Sequence, residues 1–159
     1  MLFATHLVAA AVLGDRSRLA PWPLVAGAAL PDLVDKPLAA LGVVDLYHTV
    51  GHSALLAAVL VPVALVDRRG LALAAGWASH LVLDTLHVVV NGRPTGAFSL
   101  GWPLVVPPDP LALPPGEFVL FYLWSPAFFL EFLVWAALAA VLVDAGGLPA
   151  WVTPGGGES

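Results

Sequence analysis

All five histidines of this chain lie in or beside apolar stretches, in the company of carboxylates. His6 opens the first apolar run, and Asp32 and Asp35 follow the second. His48 and His52 open the third, and His80, Asp84 and His87 occupy the second half of the fourth. Ionisable groups buried at membrane depth are costly, and where a chain keeps them they point to function. His48 and His52 are spaced i, i+4; His80, Asp84 and His87 are spaced i, i+4, i+7; Asp32 and Asp35 are spaced i, i+3. On helices each set shares one face. Imidazole and carboxylate are the ligands zinc takes where cysteine is missing, and the chain has no Cys. His6, Asp32, Asp35, His48, His52, His80, Asp84 and His87 are therefore candidate metal ligands. They exceed the four that close a single zinc site, so one to three divalent ions are expected, zinc foremost.

Depth strengthens that reading. His52 stands 15 residues before Asp67, and Asp84 stands 15 after Arg69. At about 1.5 Å per helical residue, both lie about 22 Å from the polar hairpin Asp67-Arg68-Arg69-Gly70. Antiparallel neighbours joined by that hairpin bring His52 level with Asp84, with His80 about one turn lower. Glu131, 13 residues before Asp144, reaches the same layer. Each residue alone has a plainer reading. A lone His packs or caps a helix, Asp32 after Pro31 is an N-cap, and Glu131 is a protonated, hydrogen-bonded acid. The whole set in one layer favours a metal.

The elements that must position these residues are apolar helices. Of 159 residues, 60% are apolar and 11% charged, with mean hydropathy +0.92. A soluble domain of this size has too little interior for so much apolar surface. The expected class is all-α: a polytopic membrane bundle of about four to five apolar helices with a long Pro-rich outer loop. The runs are Leu2 to Leu13, Trp22 to Leu30, His48 to Val66, Leu71 to Val90 and Phe118 to Val143, the last with Pro126 and Glu131 inside it. The first two fall short of a full span. Pro31-Asp32 ends the second, and Asn91 to Gly116 is the outer loop. Residues 1–153 read as one membrane-embedded domain and 154–159 as a disordered tail. The first segment lacks a basic n-region and reads as a retained helix, not a signal peptide. Arg16 and Arg18 in one loop and Arg68 and Arg69 in another fall on the same side, which the positive-inside rule makes cytoplasmic. A multi-pass cell-membrane protein results, with the polar layer facing the extracytoplasmic side. The formal charge is −5, with no basic patch to track a phosphate backbone, so no nucleic-acid partner is expected. The expected partner is the lipid bilayer. Oligomeric state is not legible.

Thr5-His6, Leu30-Pro31-Asp32-Leu33-Val34-Asp35, Gly51-His52-Ser53 and Ser79-His80-Leu81-Val82-Leu83-Asp84 occur in that order, followed by Gly101-Trp102-Pro103-Leu104. Together they resemble the YdjM-type family of membrane-bound metal-dependent hydrolases over residues 5–104. The His-x-x-x-Asp element is the most specific piece. The resemblance implies kinship to zinc-dependent phospholipases C and single-strand nucleases, with His6, Asp32, His52, His80 and Asp84 as ligands and Asp35 as an addition. His48 is offset from the family's His-Arg-Gly pattern, whose Arg is missing here.

Such a site predicts hydrolysis of a phosphoester in or near the outer leaflet. A bound divalent ion lowers the pKa of its water from 15.7 to about 7 and so supplies a nucleophile without Ser or Cys. Asp32, Glu131 and Arg93 are the candidate catalytic residues: Asp32 as a bridging carboxylate, and Arg93 as the outer loop's one basic residue, suited to a phosphate. Two other classes remain open. A metal or proton transporter requires polar residues through the full depth, whereas Leu71 to Trp77 and Ala136 to Val143 are apolar. A metal-stabilised scaffold keeps no open coordination position.

Overall fold

The computed structural model describes residues 1–111, 113–144 and 146. The expected tail at 154–159, and the last residues of the expected domain, lie outside these. Among the described residues the chain is all-helical, with seven α-helices, two 3-10 segments and no strand. The α-helices are α1 (Phe3–Arg16), α2 (Pro21–Ala40), α3 (Ala54–Ala57), α4 (Val61–Val66), α5 (Arg68–Val90), α6 (Pro115–Tyr122) and α7 (Pro126–Asp144). The 3-10 segments are Ala58–Leu60 and Pro94–Gly101.

Two helices, α5 with 23 residues and α7 with 19, are long and apolar enough to cross a membrane. The four-to-five-span bundle expected from composition is thus met by an all-helical fold with two such helices. The missing spans have local causes. The run His48 to Val66 is not one helix. Residues 41–53 form turns and bends, and 54–66 divide into α3, a 3-10 turn and α4. Asp35 accepts the backbone N–H groups of Thr49, Gly51 and His52 at 2.6, 2.8 and 3.2 Å. A carboxylate that gathers several amides of one short segment holds them in a turn. Gly51 also presses on α2, where a Cβ would stand 2.4 Å from the Pro31 carbonyl oxygen. His48 and His52 therefore do not share a helical face, contrary to their i, i+4 spacing.

The second run departs in the opposite sense. Pro31-Asp32 does not end it: α2 continues through Pro31 and Pro37 to Ala40, so Asp32 and Asp35 are truly helical. Proline inside a helix is tolerated where neighbouring elements cover the backbone, and α5 makes its most extensive contact with α2. The run Phe118 to Val143 is also divided. Trp124 takes φ +70°, and Pro126 opens α7 rather than sitting within it. The Pro-rich stretch after Asn91 folds back on α5 through Pro94–Gly101.

The α2–α5 seam is the tightest contact. A Cβ on Gly27 would stand 2.0 Å from the Leu73 carbonyl oxygen, and one on Gly76 1.9 Å from that of Leu24. Small residues let membrane helices approach at this distance. Ala10, Leu24, Ala28 and Ala72 pack beside the seam as a small apolar core. α1 runs down against α2, α2 and α5 run up together, and α7 runs down. At the lower end the Arg16 guanidinium donates to the Val141 carbonyl at 2.8 Å.

The interior is polar and the exterior apolar. Thr5, His6, Asp32, Asp35, His52, Ser53, His80, His87 and Glu131 are buried, while Leu65, Leu120, Leu133 and Val143 are each more than two-thirds exposed. Soluble proteins rarely expose apolar surface on this scale.

Candidate metal centre

The upper halves of α1, α2 and α5 and the turn at 48–53 bring six ligand side chains together. Three overlapping trios form: His6, His80 and Asp84; Asp32, His52 and His80; His48, His52 and Asp84. Within each trio one ligand atom per residue lies within 4.8 Å of the others. His52 Nε2 lies 3.1 Å from His80 Nε2 and 3.2 Å from Asp84 Oδ2, and His80 Nε2 lies 3.3 Å from the same oxygen. Ligands about 2.0–2.1 Å from a tetrahedral ion are spaced roughly 3.3–3.4 Å apart. The observed triangle is close to one face of such a site.

Hydrogen bonds behind the imidazoles fix which nitrogen faces inward. His80 Nδ1 lies 2.7 Å from the Ala28 carbonyl oxygen. That oxygen can only accept, so Nδ1 carries the proton and Nε2 presents a lone pair. His52 Nδ1 likewise donates to Asp35 Oδ2 at 2.8 Å. Two imidazole lone pairs thus face each other at 3.1 Å beside carboxylate oxygens. That arrangement needs a shared proton or a bound cation between the two nitrogens. His6, stacked on His80 with ring centroids 3.8 Å apart, adds to this surplus. Both its nitrogens are buried without a hydrogen-bond partner; Nε2 stands 3.1 Å from Asp84 Oδ1 but lacks hydrogen-bond geometry. Buried polar atoms are normally satisfied, and an orphaned imidazole among other acceptors has the character of a metal ligand. The donor set, nitrogen and carboxylate oxygen with no sulfur, suits zinc and several other divalent ions.

The remaining candidates fall outside the trios. Asp35 is fully buried, and both its oxygens are taken by Thr49, Gly51 and His52. It orients His52 as a carboxylate behind a ligand does. His87 lies one turn above Asp84, its Nδ1 2.8 Å from the Met1 nitrogen and its ring edge-on to Phe118 and Tyr122. Glu131, buried on α7, accepts from Thr5, from Tyr122 and from the Leu2 amide at 3.2 Å. Arg93 donates to the Asp109 carbonyl at 2.6 Å, though with His48 and His87 it lines a small cavity of about 50 Å³.

Three participants escaped the sequence reading. The Met1 nitrogen lies 2.9 Å from Asp84 Oδ1. Tyr122 belongs to the Glu131 node. Lys36 Nζ lies 2.6 Å from Asp32 Oδ2. The Asp32-x-x-x-Lys36 spacing was a usable signal, hidden by ending the helix at Pro31. Tyr122 had none, since its partners come from α7. Comparison with protein-family models, with curated proteins and with solved structures finds no match to this chain.

Proposed function

We propose that this chain is a multi-pass membrane protein with a divalent-metal centre that hydrolyses a phosphoester at the extracytoplasmic face. The observation that carries the reading is the convergence of potential ligands: His6, His52 and His80 nitrogens with Asp32 and Asp84 oxygens, packed within ligand distance of one another, with both His6 nitrogens buried and without a hydrogen-bond partner. In this reading His6, Asp32, His48, His52, His80 and Asp84 hold one to three ions, zinc foremost. Asp35 and the Ala28 carbonyl act through His52 and His80 by fixing their orientation. A divalent ion bound there supplies an activated water and polarises the phosphoryl group. In the net reaction the water oxygen bonds to phosphorus, the ester P–O bond breaks, and the departing alcohol oxygen gains a proton. Imidazoles and carboxylates at the site hold that proton in transit.

The membrane assignment is supported by α5 and α7 and by the apolar exterior. The sidedness rests on the arginines at the end of the bundle away from the cluster. The resemblance to the YdjM-type hydrolases agrees with the same ligands. The polar residues stop at the upper half of the bundle, which disfavours a transport path.

The test is purification without added metal, followed by assay of Zn, Mn and Fe content and of hydrolysis of bis(4-nitrophenyl) phosphate with and without chelator. At least one equivalent of metal and chelator-sensitive hydrolysis are expected. Less than one equivalent in all, with no such activity, removes the reading.

A further inference from the structure

A cavity of about 220 Å³ opens directly onto the cluster. Asp32, His48 and Asp84 are among its lining residues, so three metal-trio residues face it. Leu111, Phe118 and Val119 also line it, and Val119 is 42% exposed. The lining thus joins the acceptors of the cluster to apolar side chains that reach the exterior at Val119. The volume falls below the roughly 300–1,000 Å³ of sites that enclose a whole small ligand. It suits a polar head and its first few carbons, with the rest of a chain outside.

Lys36 is the one Lys or Arg side chain among the described lining residues. Its Nζ lies 2.6 Å from Asp32 Oδ2 and 5.7 Å from the centroid of the Phe3 ring. Its ion pair with Asp32 places a cationic side chain beside the acceptor cluster, next to the Met1 nitrogen that lies 2.9 Å from Asp84. Arg93 is held by Asp109 instead, with its guanidinium 3.5 Å from that carboxylate. Resting on the hydrolase reading for its reaction, we propose that this cavity is the substrate site and takes an amphiphilic phosphoester, its phosphoryl group held by Lys36 and its apolar chain laid along Leu111, Phe118 and Val119. Lys36 is thereby a binding residue, in the place where the sequence suggested Arg93.

The test uses the metal-loaded full chain in nanodiscs. Binding of dodecylphosphonate, ethylphosphonate and inorganic phosphate is measured beside hydrolysis of bis(4-nitrophenyl) phosphate. Dodecylphosphonate is expected to bind about tenfold or more tighter than ethylphosphonate. Lys36→Met should weaken both by about tenfold or more at unchanged metal content, and Lys36→Arg should restore them. Leu111→Ser should reduce the chain-length preference and leave inorganic phosphate unaffected, which separates a lipid-like ligand from free phosphate. Equal binding of the two phosphonates, or no loss in Lys36→Met with metal retained, overturns the site. Phosphonate binding that follows these rules without any ester hydrolysis keeps the site and removes the hydrolase reading, so the two failures are distinct.

Discussion

Two seams of the bundle bury carboxylates in opposite ways. Where α2 meets α5 beneath the 48–53 turn, Asp32, Asp84 and three imidazoles aim acceptors at one another. The donors that reach them among the described residues are the Met1 nitrogen and Lys36. Where α1 meets α7, Glu131 is ringed by donors from Leu2, Thr5 and Tyr122. Both regions are buried, polar and set in an apolar helical frame. What separates them is the balance of donors and acceptors: the first leaves both His6 nitrogens without a partner among clustered acceptors, while Glu131 in the second meets three donors. Burial of charge alone is weak evidence for a site, since satisfied networks also serve structure.

Forcing the first seam apart is the most severe way to break this contrast. Gly76→Ala or Gly27→Ala places a Cβ about 2 Å from a backbone oxygen of the facing helix. The expected outcome is loss of monodisperse, metal-binding protein, read by size-exclusion chromatography and metal analysis. Gly116→Ala, with nothing within 4 Å of its Cβ, should behave as the parent. A parent-like Gly76→Ala would deny the tight α2–α5 contact.

Removing one acceptor from the unsatisfied seam comes next. Asp84 belongs to two of the three trios, so Asp84→Asn should cut metal affinity by more than about a hundredfold, beyond what loss of an outer partner costs. Circular dichroism should show the helices intact. Asp35→Asn sharpens the distinction between holding an ion and orienting a ligand. It should weaken metal by about 10–100-fold, measured by competition with a chromophoric chelator. An effect as large as that of Asp84→Asn would make Asp35 a direct ligand.

The satisfied seam should respond in a different currency. Glu131→Gln disturbs a buried network and should cost about 1–3 kcal/mol of stability, visible as a lower Tm, with metal stoichiometry unchanged. Metal loss in that variant would merge the two seams into one site. His87→Ala, above the cluster but outside every trio, should change metal content least of all.

Much of the site could be read from residue spacing. Counting from the Asp67 hairpin levelled His52 with Asp84, and the two side chains meet at 3.2 Å. That inference survived even though its premise, a continuous helix from His48, did not. The descending path through 54–66 still covers the needed rise. The boundaries were less legible. Proline at 31 marked a stop that the fold overrides, and the break at Leu123 to Ser125 lay inside the most hydrophobic run, where apolar periodicity carries no punctuation.

Composition and spacing by themselves determined an apolar helical chain whose histidines and aspartates fall in one layer, because hydropathy and helical rise are properties of consecutive residues. Only the tertiary structure decided how those residues divide the work. Whether a carboxylate faces a cluster, as Asp84 does, or turns to backbone amides, as Asp35 does, depends on donors brought from distant parts of the chain. Side-chain neighbours across helices are set by packing, and no local pattern encodes them.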